Sequence, residues 1–157
     1  MGAKQPVNVS DSLQAAENKK LLATLKTEDL LIYPAKGKTK HVVYVFTDAS
    51  CPYCHKLHEH IPEINAKGIE VRYIAWPRGE QFMPAMESVW CSKDRAAAFD
   101  QAIAGQPVNA EQCKNPVRDM YQMGLNMGVN GTPAIYNENG EHIGAYMTAD
   151  ELESRLK

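Results

Sequence analysis

Two cysteines and three histidines lie within ten positions in the segment FTDASCPYCHKLHEH, residues 46–60. Cys51 and Cys54 are separated by two residues, and His55 follows directly. This spacing occurs in three kinds of site: a redox-active dithiol, a haem attached through Cys-x-x-Cys-His, and a zinc ion bound by thiolates and imidazoles. Each kind needs a different surrounding fold, so the elements on either side of the segment decide between them.

The residues around the motif predict a strand followed directly by a helix. HVVYVF (41–46) is rich in β-branched and aromatic residues, which is typical of a buried central strand. A helix is predicted from Cys51 or Cys54 to about Ala66. The free N–H groups and the dipole at its start would stabilise a thiolate on Cys51. Pro52 suits the first helical turn, and Cys54, one turn deeper, would attack a mixed disulfide on Cys51.

The other two chemistries fit this position less well. A haem needs a distal ligand and a large apolar pocket, whereas this motif lies between a core strand and its helix. Zinc needs four ligands; His58 could join the thiolates, but His55 and His60 point to other faces of the helix. The histidines are also explained as a solvated helix face. We favour the redox dithiol, with a pair of unreactive thiols as a further alternative.

The rest of the chain predicts one domain with an α/β fold. A chain of 157 residues with 44% hydrophobic residues, 23% charged residues and a net charge of −2 suits an ordinary globular domain without a polyanionic partner. No apolar run approaches the roughly 20 residues that span a bilayer, and the N-terminus lacks the core of a signal peptide. The chain as given is therefore expected to be cytosolic or already processed.

Periodicity and turn residues give the order of the elements. Residues 1–9 are predicted to be a disordered lead, and Pro62 is expected to kink the helix that carries the motif. Thr148 and Glu151 have the spacing of a capping box. The other predicted elements are a helix from Ser10 or Asp11 to about Lys26, strands at 30–33 and 69–76, helices near 81–92, 94–104 and 110–127, a hairpin of 133–137 with 142–147, and a last helix from Thr148.

A second motif supports the dithiol interpretation. GVNGTPAIY (128–136) places Thr132 and Pro133 at the start of a strand, after a glycine-rich turn. A cis peptide bond there would leave backbone groups free to pair with an extended substrate strand. Thr-Pro alone is weak evidence for this, but in combination with Cys-x-x-Cys it favours a substrate groove beside the thiols.

With these motifs, the sequence resembles the periplasmic disulfide-bond isomerases DsbC and DsbG of the thioredoxin superfamily. The resemblance covers nearly the whole chain, through PVNV, HVVYVFTDASCPYCHKLHEH, GIEVRYIAWPRG, VWCSKDRAAAFD and GVNGTPAIY. It implies a thioredoxin fold with a helical insertion at about 80–128, between the β-α-β half and the C-terminal β-hairpin-α half. It also implies that no cofactor or metal is used.

The resemblance also assigns the site residues. It implies that Cys51 is the attacking thiol and Cys54 the resolving thiol. It further implies that Cys91 and Cys113 form the structural disulfide of the DsbC branch, worth about 3 kcal/mol by chain entropy; buried free thiols are the alternative. The residues expected to line the substrate groove are Thr132 with a cis Pro133, together with Pro52 and Tyr53.

Two features depart from the family pattern. The active-site sequence CPYC resembles that of DsbG, whereas the second cysteine pair resembles that of DsbC. Both functions, a general isomerase and a narrower thiol reductase, therefore stay open. The N-terminal dimerisation domain of the family is expected to be absent, with MGAK as an artificial start. Residues 1–27 would then be linker and linker helix, and 28–157 the catalytic domain of a monomer. Thioredoxin itself carries a buried acid where this chain has Val45.

The sequence therefore predicts an enzyme, a periplasmic thiol-disulfide oxidoreductase that reduces or reshuffles disulfides in misoxidised proteins. A membrane-bound reductase of the DsbD type would keep it reduced, and nucleic acid is not expected as a partner. The competing hypothesis is a chaperone-like peptide-binding module in which the cysteine pair is incidental.

Overall fold

The computed structural model describes residues 9–157, and side chains from Ser12 onward. The predicted disordered lead therefore lies outside the described residues, except for Val9, which is helical. The elements are α1 Val9–Ala23, β1 Leu31–Tyr33, β2 His41–Thr47, α2 Pro52–Glu59, α3 Ile61–Ala66, β3 Ile69–Ala75, α4 Met83–Cys91, α5 Arg95–Ile103, α6 Val117–Asn126, β4 Ala134–Asn137, β5 His142–Gly144 and α7 Ala149–Leu156, with 3-10 turns at Thr27–Asp29 and Glu80–Phe82.

The five strands form one mixed sheet in the order β1-β3-β2-β4-β5. β2 runs parallel to β3 and antiparallel to β4, and the two edge strands are also antiparallel to their neighbours. Side chains of β2 on both faces are covered, as its continuous apolar sequence predicts. β2 is therefore the central strand of the sheet. It ends at Thr47, and the cysteine motif follows directly after this end.

The helix predicted from the motif to Ala66 is present as two helices. α2 ends at Glu59, and α3 begins at Ile61 after a break at His60. Pro62 causes the break, because it has no N–H to donate to the preceding turn. α2 and α3 form the crossover that parallel β2 and β3 require, and they bury Leu57, Ile61 and Ile64 against the sheet.

The helical insertion contains α4, α5 and α6, and its last helix is shorter than predicted. The sequence predicts helix over 110–127, but α6 begins only at Val117. Asn115 accepts a hydrogen bond from the backbone N–H of Val117 and donates to the carbonyl of Cys113, so its side chain organises a non-helical entry to α6. Pro116 then precedes the first helical residue.

The C-terminal hairpin ends sooner than the predicted strand at 142–147. β5 stops at Gly144, whose φ is +157°. This backbone conformation strains any residue with a Cβ, and a side chain here would also have to displace the ends of Arg155 and Met147, so the chain leaves the sheet at a glycine. α7 begins as predicted, with a capping box between Thr148 and Glu151.

α1 packs onto the tip of this hairpin. The buried side chain of Asn18 donates to the carbonyl of Gly140, and Leu22 is part of the hydrophobic core. A Cβ on Gly140 would lie 2.2 Å from the carbonyl oxygen of Ala15, so the two backbones are in contact. The helix is thus held against the domain at a fixed place.

Candidate active site: a Cys-x-x-Cys pair at a helix start

The loop after β2 places Cys51 at the start of α2. The backbone N–H of Cys51 donates to the carbonyl of Asp48, which turns the chain from strand to helix. Cys51 is the N-cap residue, with an extended φ of −86°, and Pro52 occupies the first helical position. The local sequence therefore directs the first thiol toward the unpaired N–H groups of the helix.

The surroundings of Cys51 favour its thiolate. The residue is only 3% exposed, and in its protonated form its Sγ donates to the carbonyl oxygen of Thr132 at 3.3 Å, a contact that by itself favours the thiol. The pKa of Cys51 is lowered to about 5, first by a hydrogen bond from Cys54, and further by Thr132 and the backbone N–H groups of Tyr53 and Cys54; burial opposes this shift. The first thiol is thus anionic at neutral pH.

Cys54 shows the opposite behaviour. It is 1% exposed and lies one helical turn beyond Cys51. Its hydrogen bond to Cys51 and its burial raise its pKa far above the ordinary range of a thiol, although Thr132, Thr47 and a backbone group of Asp48 act in the other direction. The two sulfurs therefore share one proton, which stays on Cys54.

Thr132 and Pro133 lie next to this pair because β4 pairs with β2. Phe46, near the end of β2, is opposite Ala134, the first residue of β4. The peptide bond between Thr132 and Pro133 is cis. The Thr132 hydroxyl is buried without a hydrogen-bond partner among the described residues, so it is available to donate to an anionic sulfur.

An ion pair that the sequence did not predict braces the loop before Cys51. Asp48 is 1% exposed, and its carboxylate accepts hydrogen bonds from the backbone N–H and hydroxyl of Ser50. The backbone N–H and Nε of Arg78 donate to the same carboxylate, at 2.9 and 3.2 Å. Asp48 and Arg78 are thirty residues apart, so no local spacing indicates their pairing.

The outer surface of the motif is formed by Pro52 and Tyr53. Both are exposed, and 57% of the surface of Tyr53 is accessible beside the buried thiols. The ammonium of Lys56 lies 5.2 Å from the centre of this ring, and the ring of Tyr146 is 6.1 Å away. An aromatic and cationic surface thus borders the site on the side of α2.

The three histidines are not a solvated face, so that interpretation is wrong. His55 contacts the carbonyl oxygen of Ala49, and His60 is hydrogen-bonded to the hydroxyl of Tyr146. His58 lies between the hydroxyl of Tyr73 and a carboxylate oxygen of Asp100. Among residues 9–157, no three histidine, cysteine or acidic side chains are grouped to bind a metal ion.

The other two cysteines lie in the insertion. Cys91, the last residue of α4, is bonded to Cys113 in the irregular segment before α6. Cys91 is half-buried and Cys113 is exposed. This disulfide attaches the segment that the sequence predicted as helix to the end of α4.

Comparison with known families identifies the fold. Residues 28–157 match the model of the thioredoxin-like domain. The chain belongs to the thioredoxin-like family. The α/β class and the thioredoxin fold with a helical insertion, predicted from the sequence, are thereby confirmed.

Curated relatives within this family carry the name thiol:disulfide interchange protein DsbC. The chain is 42% identical to the one from Salmonella typhimurium over 96% of its own length and 62% of the relative. It is 40% identical to the one from Escherichia coli K12 over 96% of its length and 63% of the relative. These matches confirm the resemblance to DsbC, and the chain spans a little under two thirds of both relatives.

A solved structure extends the likeness to three dimensions. The disulfide interchange protein from Neisseria gonorrhoeae superposes with a TM-score of 0.70 and 27% identity, over 83% of this chain and 94% of that one. Within the described part of the chain, none of the helices has the length and apolar character needed to cross a membrane.

Proposed function

We propose that the chain is a thiol-disulfide oxidoreductase, the catalytic domain of a protein disulfide isomerase. The observation that carries the proposal is the difference in pKa between the two thiols at the start of α2. Cys51 has a pKa lowered to about 5, whereas Cys54 holds its proton. A nucleophilic thiolate beside a protected thiol is the arrangement that disulfide exchange requires.

The reaction has two steps. The thiolate of Cys51 attacks one sulfur of a substrate disulfide, the substrate S–S bond breaks, and the other substrate sulfur leaves with the electron pair. Cys54 then attacks Sγ of Cys51, loses its proton, and releases the first substrate sulfur as a thiolate. Two electrons pass to the substrate, and the enzyme keeps a Cys51–Cys54 disulfide. Isomerisation replaces the second step with attack by another thiol of the substrate.

The substrate groove in this proposal runs past Thr132 and Pro133. Both residues precede β4 and lie beside Cys51, so an extended chain bound there brings its disulfide to the thiolate. Pro52 and Tyr53 form the opposite border. Their exposure leaves them free to contact the substrate on either side of the reacting sulfur.

We further propose that the substrates are misoxidised proteins of the periplasm, and that a membrane-bound reductase of the DsbD type restores the dithiol. The similarity to thiol:disulfide interchange proteins supports protein disulfides as the substrates, and the reductase is the partner that the resemblance to the DsbC family implies. In this proposal residues 28–157 form the catalytic domain after a linker helix. The chain as given acts as a monomer, whereas full-length family members are dimeric.

The first test separates an enzyme from a peptide-binding module. Cys51→Ser should abolish reduction of insulin while leaving thermal unfolding nearly unchanged, because serine replaces sulfur with a poor nucleophile. Suppression of aggregation of a cysteine-free unfolded protein is measured in parallel. If the variant retains every activity of the parent, the cysteine pair is incidental and the binding module is correct.

The second test concerns isomerisation. Two active sites facing each other raise the effective concentration of thiol around a bound chain. Fusing a dimerising segment before Pro6 should therefore raise the refolding of a scrambled multi-disulfide protein far more than the reduction of insulin, at matched active-site concentration. If the monomer already unscrambles as well as the dimer, the isolated domain is a complete isomerase. Activity on one narrow set of substrates would favour a DsbG-like reductase.

A further inference from the structure

The turn that precedes α2 lies where two neighbouring strands end. β2 and β3 run parallel, and Thr47 at the end of one strand is the register partner of Ala75 at the end of the other. The backbone N–H of Trp76 donates to the carbonyl of Thr47 at 2.8 Å, so the two chains leave the sheet side by side. This topology brings Asp48, directly after β2, to Arg78, three residues after β3.

The carboxylate of Asp48 joins the two chains by hydrogen bonds. Its Oδ1 accepts from the backbone N–H of Ser50 at 3.0 Å. Its Oδ2 accepts from the hydroxyl of Ser50 at 2.9 Å, and from the backbone N–H and Nε of Arg78 at 2.9 and 3.2 Å. Nη2 of Arg78 donates in turn to the carbonyl and hydroxyl oxygens of Ser50, both at 3.2 Å. Residues 48 and 50 are thus both fixed to one guanidinium.

The same turn holds Cys51 directly. The backbone carbonyl of Asp48 accepts a hydrogen bond from the N–H of Cys51 at 3.0 Å, so the main chain and the side chain of Asp48 both organise the turn. Cys54, then Thr132 and the backbone N–H groups of the first helical turn, lower the pKa of Cys51 against the effect of burial. Asp48 and Arg78 are not among these groups, so their influence on the sulfur passes through the position of the backbone.

The ion pair is placed to fix a conformation. The side chain of Asp48 is 1% exposed and that of Arg78 is 37% exposed, and Cζ of Arg78 lies 5.4 Å from the centre of the Phe82 ring. Burial of a carboxylate is costly, and a buried ion pair often adds less stability than apolar side chains of the same volume. The hydrogen bonds of this pair converge on the residues that lead into Cys51, where backbone position matters most.

We propose that Asp48 and Arg78 are positioning residues for disulfide exchange, whose ion pair holds Cys51 where its sulfur meets the backbone N–H groups of α2. If the turn loosens, the sulfur loses these donors, and the pKa of Cys51 rises toward the ordinary value of a thiol. Attack on a disulfide then slows at acidic pH, where less thiolate is present, but not at alkaline pH. This inference rests on the proposed function and names two further residues that serve it.

The main test is Asp48→Asn. Asparagine has the shape of aspartate, but its amide nitrogen would face a donor in either orientation, so the brace is broken. Iodoacetamide labelling of Cys51 from pH 4 to 9, with timed quenching and peptide mapping, gives the pH midpoint. The midpoint should rise by at least about one unit, which lowers the rate at pH 5 about fivefold and changes the rate at pH 9 by less than about threefold. On charge alone, removal of an anion from this turn would lower the midpoint instead.

A double variant separates position from charge. Arg78→Gln should raise the midpoint by a similar amount, and Asp48→Asn with Arg78→Gln should raise it no further than either change alone, because both break the same brace. If the two residues acted by charge, their single effects would be opposite in sign and would cancel in the double variant. Ser50→Ala keeps both charges and removes the hydroxyl that links them, so it should give a smaller rise.

The matched control is Glu80→Gln, which neutralises an exposed carboxylate two residues after Arg78 that pairs with Arg118 at 3.2 Å. Its midpoint should equal that of the parent. An unchanged or lowered midpoint in folded Asp48→Asn overturns the positioning role; should that variant not fold, an unchanged midpoint in Ser50→Ala does so. A rate that falls by the same factor at every pH indicates general damage and also overturns it. If the parent reduces no glutathione disulfide, the proposed function fails, and the inference fails with it.

Discussion

The two cysteine pairs of this chain show how context determines the behaviour of the same side chain. Cys51 and Cys54 are three positions apart, reduced and buried, at the start of a helix beneath the end of a central strand. Cys91 and Cys113 are separated by 22 positions, bonded to each other and partly exposed in the helical insertion. The first pair lies among hydrogen-bond donors, whereas the second connects a helix to an irregular segment.

Within the first pair, the hydrogen bond between the two thiols creates the reactive one, with help from the backbone N–H groups at the helix start, whereas burial acts against a thiolate at both residues. Cys51 and Cys54 are both buried, yet the pKa of one is lowered and that of the other is raised. What separates them is that Cys51 occupies the N-cap and accepts hydrogen bonds, while Cys54 lies one turn inside and donates. Each half of this contrast can be tested by substitution and by thiol labelling.

The largest effect is expected from Cys54→Ser. Without the second thiol, Cys51 still attacks a substrate but nothing within the motif resolves the product. The variant should therefore accumulate covalently linked to insulin, as seen by mass spectrometry without reductant. Cys113→Ser in a Cys91→Ser background should give no such adduct. A Cys54→Ser protein that turns over as fast as the parent would remove Cys54 from the mechanism.

Alkylation should distinguish the first two thiols by orders of magnitude. Since the pKa of Cys51 is lowered to about 5, its reaction with iodoacetamide should reach half its maximal rate near that pH. Cys54 should stay unmodified in the folded protein, because its raised pKa keeps it a thiol. Peptide mapping after timed quenching measures both rates. Equal and slow labelling of the two residues contradicts the assignment of the site.

Removal of the second pair should change stability but not chemistry. Cys91→Ala with Cys113→Ala opens a loop of 22 positions, which should lower the free energy of unfolding by about 3 kcal/mol. Insulin reduction should be retained, since neither residue touches the dithiol. Urea unfolding measures the change in free energy. The rate of insulin reduction, measured at urea concentrations well below the unfolding midpoint, checks that activity is retained. Loss of activity in a variant that remains folded would show that the insertion disulfide supports the site.

The last expected effect is a dependence of stability on pH. The folded pKa of Cys51 is lowered, so between about pH 5 and the ordinary pKa of a thiol, near 8.5, the unfolded chain binds a proton that the folded chain has lost. Stability of the reduced protein should therefore rise with pH across this window, by at most about 1.4 kcal/mol per unit, and fall again on acidification. The difference from Cys51→Ser isolates this contribution; parallel curves for the two proteins would contradict it.

Local patterns were sufficient to predict the elements that carry the motif. HVVYVF predicted β2, and CPYC predicted a helix start, because both signals depend on neighbouring residues alone. The late start of α6 was not predictable, since it depends on Asn115 and on the disulfide to Cys91. The early end of β5 coincides with the positive φ of Gly144 and with a hydrogen bond from Arg155 of α7 to the carbonyl of Ile143, which is also a tertiary contact.

The residues of the candidate active site were predictable to the same extent as the elements, from local motifs but not from tertiary contacts. The positions of Cys51, Cys54 and Thr132 follow from short motifs, and the structure brings the three together. The pairing of Asp48 with Arg78 and the contact of His58 with Asp100 join segments 30 and 42 positions apart. A single sequence contains no spacing signal for such contacts, so only the fold reveals them.

The docking of α1 on the hairpin has a geometric consequence. Gly140, in the turn of the hairpin, touches the backbone of α1. β4 leads into that turn, and its other end begins beside Thr132. The axis of α1 is therefore fixed with respect to the reactive sulfur. Gly140→Ala should loosen this contact without touching the thiols, so α1 would lose its fixed angle to Cys51 while the domain kept its chemistry.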